Sequence, residues 1–379
     1  MKLRVSKDEI QEKLSNIQNV VEKKNTMPIL SHFLLEAGKK GSYIVATDLE
    51  TALREPVEIK VEETGRLCIP ARKLFEIVRE MEGDLLFESV DESSSASGGG
   101  WLKVKGGTSD FRLACLSAND FPAWPVMEDG EEITIDATIL LEMIEKTIYS
   151  AGESDTRYTL NGLLFHTKPT EKLLTIVGTD GHRLALITRQ MDVELKDEKK
   201  MIVPRKAVSE LRRFLNKEME KAKIIIGKNH LLFSVGTSTG GEVQFLTRLI
   251  EGTYPNYEHV MPKANEKKVS VSREAFAKAL RRVSVMSRER ANAVRSDFVD
   301  GTLILTSSNP DVGEAKEEIT VDYKGDKLSV GFNARYLIEA LTVMTSEKIV
   351  LELQDPLSPV LVREEGKEDY RCVIMPMRI

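Results

Sequence analysis

Cysteine is scarce in this 379-residue chain, and Cys68, Cys115 and Cys372 are scattered and odd in number. That pattern excludes a disulfide framework and fits no metal-ligand spacing, so the three read as reduced core residues. No apolar run approaches the roughly 20 residues that a membrane span needs. A secretory signal pattern is missing too. Met1 to Val5 alternate like a strand and lead into Ser6-Lys7-Asp8-Glu9, a capping-box spacing, so a cytoplasmic location is expected. The marks of catalysis are equally thin. No Gly-x-Ser-x-Gly elbow occurs, and His32, His166, His230 and His259 lack ligand spacing. The stretch Gly236-Thr237-Ser238-Thr239-Gly240-Gly241 lacks the Gly-Lys-Ser/Thr ending of a phosphate loop and reads as a hairpin turn. The strongest catalytic alternative is Asp180 with His182 and a nearby serine, but a strand-end turn explains Asp180-Gly181. Neither an enzyme nor a cofactor or metal is expected.

What is present is repetition. Ile69-Pro70-Ala71-Arg72-Lys73-Leu74, Val203-Pro204-Arg205-Lys206-Ala207-Val208 and Phe332-Asn333-Ala334-Arg335-Tyr336-Leu337 are three apolar runs feeding helix starts. They lie about 130 residues apart, and Thr47-Asp48, Thr179-Asp180 and Ser308-Asn309 keep the same rhythm. Three related domains follow, which suits a length too great for one core. Each unit reads as strand, helix, strands, helix, strands. The first helix spans Ser6 to Val21 in unit one, follows Asp136 as N-cap in unit two and follows Ser272 in unit three. The second helix spans Ala71 to Met81, Pro204 to Glu220 and Asn333 to Met344. Alternating runs around them predict about eight short antiparallel strands per unit, an α+β layer with one sheet face on the helices. Linkers fall at Phe121-Pro122-Ala123-Trp124 and Tyr254-Pro255-Asn256-Tyr257, while Asp91 to Gly100 is too rich in Ser and Gly to build a core.

Charge is unevenly placed. The formal net charge of −6 argues against simple coating of nucleic acid. Yet Arg205, Lys206, Arg212, Arg213, Lys217 and Lys221 crowd one helix region, Arg273, Lys278, Arg281 and Arg282 another, and Arg72, Lys73 and Arg79 a third. Basic residues recurring on the helices of each unit point to a shared cationic surface.

Thr179-Asp180-Gly181-His182-Arg183-Leu184, Arg157-Tyr158-Thr159-Leu160-Asn161-Gly162, Ile202-Val203-Pro204-Arg205-Lys206 and the ending Val373-Ile374-Met375-Pro376-Met377-Arg378-Ile379 resemble the bacterial DNA polymerase III β subunit family, the sliding clamps. The resemblance covers essentially the whole chain. It implies three clamp domains, at 1–125, 126–254 and 255–379, each with two helices on antiparallel sheets. Two chains would form a six-domain ring, a head-to-tail homodimer with helices lining the hole. Such a ring encircles duplex DNA without sequence preference. It tethers replicative and translesion polymerases, the clamp loader and other replication and repair proteins.

By the same resemblance, Lys24, Arg72, Tyr158, Arg205 and Lys206 face DNA, with Thr159 standing where the family has a second tyrosine. An apolar groove for peptides of the type Gln-Leu-x-Leu-Phe would use Leu160, Thr179, Gly181, His182, Arg183, Leu184, Pro255, His259 and Val260. Its other wall would be Leu357, Pro359, Val373, Met375, Pro376, Met377 and Arg378. Of these, His259, Leu357 and Pro359 depart from the family's usual residues. The dimer contact would join Phe111 and Leu113 to Val285 and Met286 of a second copy. Two competing classes are an enzyme built on Asp180 and His182, and an RNA-binding or scaffold protein without ring closure.

Overall fold

A computed structural model of the chain describes all residues except 22–26, 91–99, 126, 128, 129, 192–194, 216–219, 237–240, 263, 264, 288–291 and 379. The Ser/Gly-rich segment and Lys24 therefore lie outside the described residues, Gly100 apart. The first repeat runs β1 (Lys2–Ser6), α1 (Lys7–Ile17), β2 (His32–Gly38), β3 (Gly41–Thr47), β4 (Thr51–Pro56), β5 (Lys60–Glu63), β6 (Gly65–Pro70), α2 (Ala71–Arg79), β7 (Asp84–Val90), β8 (Trp101–Gly106) and β9 (Ser109–Ala114). The second runs β10 (Glu131–Asp136), α3 (Ala137–Glu145), β11 (Gly162–Lys168), β12 (Leu173–Thr179), β13 (Arg183–Gln190), β14 (Lys199–Pro204), α4 (Arg205–Phe214), β15 (Lys221–Ile226), β16 (His230–Gly236) and β17 (Glu242–Arg248). A short helix α5 (Tyr257–Val260) precedes β18 (Lys267–Ser272), α6 (Arg273–Ser284), β19 (Ala293–Val299), β20 (Thr302–Asn309), β21 (Gly313–Thr320), β22 (Leu328–Asn333), α7 (Ala334–Val343), β23 (Lys348–Leu353), β24 (Val360–Glu364) and β25 (Tyr370–Ile374).

Capping fixes where these helices begin. Ser6 Oγ accepts from the Glu9 amide (3.2 Å), Asp136 Oδ1 from Thr138 (2.8 Å), Ser272 Oγ from Ala275 (3.4 Å) and Asn333 Oδ1 from Arg335 (3.0 Å). From those starts, helical spacing buries Ile10, Leu14 and Ile17 on α1, Leu140, Met143 and Ile144 on α3, and Phe276, Leu280 and Val283 on α6. The helices end earlier than periodicity alone predicts. After Ile17 of α1 the amides of Val20 and Val21 both turn back to its carbonyl, so Val20 is buried without being helical. Likewise α2 stops at Arg79 and α4 at Phe214.

The chain divides into two compact units, Met1–Thr138 with Arg213–Arg248, and Ile139–Arg212 with Leu249–Ile379. The first unit holds a five-stranded sheet, β5-β1-β7-β8-β9, and an eight-stranded sheet, β10-β15-β16-β17-β4-β3-β2-β6. The second holds an eight-stranded sheet, β14-β11-β12-β13-β25-β24-β23-β18, and a four-stranded sheet, β21-β20-β19-β22. Each repeat thus supplies two antiparallel four-strand ribbons, with β5 added in the first. The long sheets arise where the last strand of one repeat pairs with an edge strand of the repeat before it. There Phe245 on β17 lies opposite Leu53 on β4, and Cys372 on β25 opposite Ala185 on β13.

The recurring Thr-Asp pair is a turn that ends β3 and β12. Thr47 Oγ1 donates to the Thr51 carbonyl (2.8 Å), and Asp48 Oδ1 accepts from the amides of Glu50 (3.1 Å) and Thr51 (2.6 Å). Thr179 and Asp180 repeat this on Arg183 and His182, with bonds of 2.6, 2.9 and 3.0 Å. Both turns need a left-handed residue at the third position, and Gly181 supplies it at φ +84°. Its counterpart Leu49 sits at φ +73°, where a Cβ is strained. Replacing Leu49 by Gly is therefore expected to stabilise the first compact unit by about 0.5–1 kcal/mol, the relieved strain outweighing the added freedom of the unfolded chain. Chemical denaturation checks this, and a lowered midpoint contradicts it.

Candidate functional site

At the seam of β13 and β25, Leu184 and Val373 lie opposite each other and open into a cavity of about 150 Å³. The cavity is lined by Leu160, Thr179, Gly181, Arg183, Leu184, Pro255, Val260, Val373 and Met375, joined by Arg157 and Tyr257. Beneath it Leu164, Val177, Leu186, Ile202, Tyr254 and Leu361 form a buried apolar cluster. The linker helix α5 makes one wall and is anchored at two points. Tyr257 Oη meets His166 Nδ1 at 2.8 Å, and Lys168 Nζ donates to Glu258 at 2.8 Å. Burial pushes the His166 pKa down, while its Nε2 lies 2.7 Å from Glu198.

Polar groups rim this apolar space. Arg157 grips Asp155 with two bonds (3.0 and 2.8 Å) and donates to the Asp180 carbonyl (3.0 Å). Those bonds hold the Asp155 carboxyl down at about 2. A Cβ on Gly181 would stand 2.8 Å from the Arg157 guanidinium, so glycine at this turn serves the close approach as well as the backbone. Arg183 is the deeper anchor and is buried. Its Nε donates to Asp180 Oδ2 (3.0 Å), its Nη2 to the Tyr149 carbonyl (2.6 Å), and its Nη1 to Glu339 on α7. The guanidinium also lies 4.4 Å from the Tyr336 ring centroid and 5.3 Å from that of Tyr149. With its oxygens committed to Arg183 and the turn amides, Asp180 is a structural carboxylate rather than an orienter for His182.

Other groove positions expected from the sequence fall around the cavity rather than in it. His182 is exposed on an adjoining polar cleft of about 330 Å³ with Glu153, Arg205, Arg335, Tyr336 and Glu339. The Met375 amide donates to the His182 carbonyl (2.9 Å), and the Met377 amide to Gly331 (2.8 Å). These bonds fix the chain end, where Pro376 and Met377 are half-buried and Arg378 is exposed. Leu357 projects from a turn whose Asp355 carboxylate accepts its amide (2.8 Å). The Pro359 carbonyl accepts from Asn265 (3.0 Å), and His259 is exposed on α5. Sequence reasoning missed Arg157 and Tyr257, although each stands inside a motif it singled out.

A second surface is basic. Tyr158, Arg205 and Lys206 line an open hollow of about 740 Å³ with Arg212, Pro204 and Ile250. Arg205 meets Glu153 at 2.5 Å, and burial lowers its pKa, whereas Tyr158 is largely exposed. Arg72 stands at the start of α2 and donates to Glu76 (3.1 Å). Lys24 lies outside the described residues. Of the expected dimer residues, Phe111 is exposed on the edge strand β9 and Leu113 is buried. Val285 and Met286 follow α6, with Val285 77% exposed.

Comparison with known proteins finds matches along the whole chain. Family models for the DNA polymerase III β subunit match with the N-terminal domain at residues 1–125, the central domain at 134–256 and the C-terminal domain at 258–378. The β sliding clamp of Pseudomonas putida is 36% identical over the full length of both chains, and that of Pseudomonas aeruginosa 33% identical. Among solved structures, the Pseudomonas aeruginosa β subunit aligns over both whole chains with a TM-score of 0.91 at 33% identity. A Bartonella birtlesii sliding clamp bound to griselimycin aligns equally fully at 0.93 and 33%. The chain belongs to the DNA polymerase III β subunit family, whose members are non-enzymatic sliding clamps.

Arg183 generates a test. Truncation to Ala leaves Asp180 and Glu339 without their shared cation, and Lys cannot reproduce the forked geometry. Because both carboxylates retain some solvent, the expected loss is about 2–3 kcal/mol for Arg183→Ala, with Arg183→Lys recovering less than half of it. Denaturant titration of the second compact unit reads this; a loss below about 0.5 kcal/mol contradicts the anchor role.

Proposed function

We propose that two copies of this chain close head to tail into a six-domain ring that holds duplex DNA by topology, with domains at 1–125, 126–254 and 255–379. The function it serves is that of a DNA sliding clamp for the replicative polymerase. The observation that carries the closure is a rule repeated inside the chain. The last strand of the second repeat pairs with the third strand of the first repeat's inner ribbon, the one made of β2, β3, β4 and β6, and the last strand of the third repeat does the same to the ribbon β11, β12, β13 and β14 of the second. By that rule one edge remains at each end: β9 pairs only with β8, and β21 only with β20, among the described residues.

Register makes the rule specific. Ladder positions equate Phe111 with Phe245 and Cys372, both buried against a neighbouring repeat, whereas Phe111 is 38% exposed. On the other edge they equate Ala315 with Leu53 and Ala185. Docking β9 of one copy on β21 of another in this register puts Phe111 opposite Ala315. Arg112 then faces Glu314 and Asp110 faces Lys316, so both charged pairs are complementary. Val285 and Met286, just past α6, are the residues expected to meet this contact and to be covered by it.

Topological capture resolves the charge balance. Once DNA is enclosed, the contacts of Lys24, Arg72, Tyr158, Arg205 and Lys206 need only be weak and insensitive to sequence. The apolar cavity at the second seam is suited to short peptides of polymerases, the clamp loader and repair proteins, since Leu, Val and Met walls adapt to several partners. Such partners place the ring in the cytoplasm with the replicating DNA. No helix among the described residues is long and apolar enough to cross a membrane.

By light scattering, Phe111→Asp is expected to give a particle of 42.5 kDa and the unaltered protein one of twice that mass. Arg112→Glu weakens the dimer about tenfold or more, and adding Glu314→Arg restores it. Unchanged association after Phe111→Asp, or no rescue by the second substitution, contradicts the interface. In the groove, Leu184→Ala with Met375→Ala lowers the affinity for a Gln-Leu-x-Leu-Phe peptide by about tenfold or more, as fluorescence anisotropy would record.

A further inference from the structure

The second helix of every repeat opens with the same pair of charges. Strand registers equate Pro70, Pro204 and Asn333, because each ends the strand that pairs with the first strand of the inner ribbon. Arg72, Lys206 and Arg335 therefore occupy one helical position, and Glu76, Glu210 and Glu339 another, one turn later. In the first repeat Arg72 Nε donates to Glu76 Oε1 at 3.1 Å, and Lys73 Nζ to Oε2 at 2.7 Å. In the third, Arg335 Nε donates to Glu339 Oε1 at 2.7 Å. Both arginines remain open to solvent, with side-chain exposures of 86% and 64%.

Arg335 is not an isolated surface charge. It lines the polar cleft with Arg205, and Arg205 also lines the hollow that holds Tyr158 and Lys206. Burial lowers the Arg205 pKa, and the nearby Glu339 carboxylate opposes that shift while the like charge of Arg335 adds to it. The cleft also holds Glu153, Asp155, Asp180 and Glu339, so Arg335 and Arg205 share a surface where cations alternate with carboxylates.

We infer that Arg335 is a further phosphate contact, equivalent to Arg72 and Lys206, and that the glutamate paired with Arg72 and with Arg335 is a built-in competitor that keeps these two contacts weak. The inference rests on the DNA-facing assignment of Arg72 and Lys206. An exposed pair of this kind is loose and screened by salt, so a phosphate displaces the carboxylate easily. When the DNA moves on, the carboxylate takes the cation back. Each step exchanges one anion for another, so no cation is left bare and no phosphate is held tightly. The strength of binding is thereby set by a residue that never touches DNA.

The test measures binding of the intact protein to a short duplex by anisotropy over a series of salt concentrations, with thermal melting to confirm the fold. Glu76 is the informative acid because its partners are Arg72 and Lys73, whereas Glu339 also holds Arg183. Glu76→Gln is expected to tighten binding about two- to threefold at low salt. Arg335→Gln is expected to weaken it and to reduce the slope of log K against log salt by about 0.9 per chain. Arg72→Gln should do the same. If Arg72→Gln lowers the slope while Arg335→Gln leaves it unchanged, or Glu76→Gln fails to tighten binding, the inference is overturned and the DNA face stands. If Arg72→Gln has no effect either, the DNA-facing assignment fails with it.

Discussion

Pairing of the last strand of a repeat onto the edge of the repeat before it is the constraint on which the rest of this molecule depends. An exposed strand edge presents unpaired amides and carbonyls and is prone to wrong association. Here β17 covers β4 and β25 covers β13, which converts four ribbons into two eight-stranded sheets and seals Phe245 and Cys372 inside them. The same pairing creates the seam where the apolar cavity lies, because Leu184 and Val373 meet only when β13 and β25 are joined. It also leaves β9 and β21 as the chain's two remaining counterparts. The cavity at the second seam and the two open edges are thus consequences of one geometric rule.

The two seams within the chain obey that rule but differ in what fills them. At the first, Ala52 lies opposite Leu246, and Trp124 and Met127 pack on Ala52, Leu232 and Leu246. The corresponding residues at the second are Leu184, Val373 and Leu361, with Tyr257 and Val260 from the linker. At the first seam a smaller floor lies under two large linker side chains. At the second a larger floor lies under smaller ones, and the cavity opens there. The turn residue reinforces the difference, since Leu49 projects a side chain where Gly181 leaves room for Arg157. Van der Waals volume, rather than backbone topology, is what differs between the two seams.

Much of this was legible in the chain before its folding was seen. Pro70, Pro204 and Asn333 fall at matching ladder positions, and the Thr-Asp landmarks make matching hydrogen bonds, so the spacing reported true structural equivalence. Caps at Ser6, Asp136, Ser272 and Asn333 could be read because they are local. Pairing across repeats could not, since alternation tells which face of a strand is buried and not which strand lies beside it. The role of Arg183 was hidden for the same reason, as its partner Glu339 lies 156 residues away. Expected groove residues such as Leu357, Met377 and Arg378 are not among the cavity's lining, because resemblance selects neighbours in sequence and the cavity selects neighbours in space.

DNA threaded through the proposed ring is held by enclosure and not by the strength of its contacts. The direct measurement loads the protein onto closed circular DNA, washes with high salt, and then cuts the circle. Retention through the wash with release on linearisation is the predicted result, because salt screens the basic contacts but cannot open a ring. Equal loss from circular and linear DNA at high salt would contradict it.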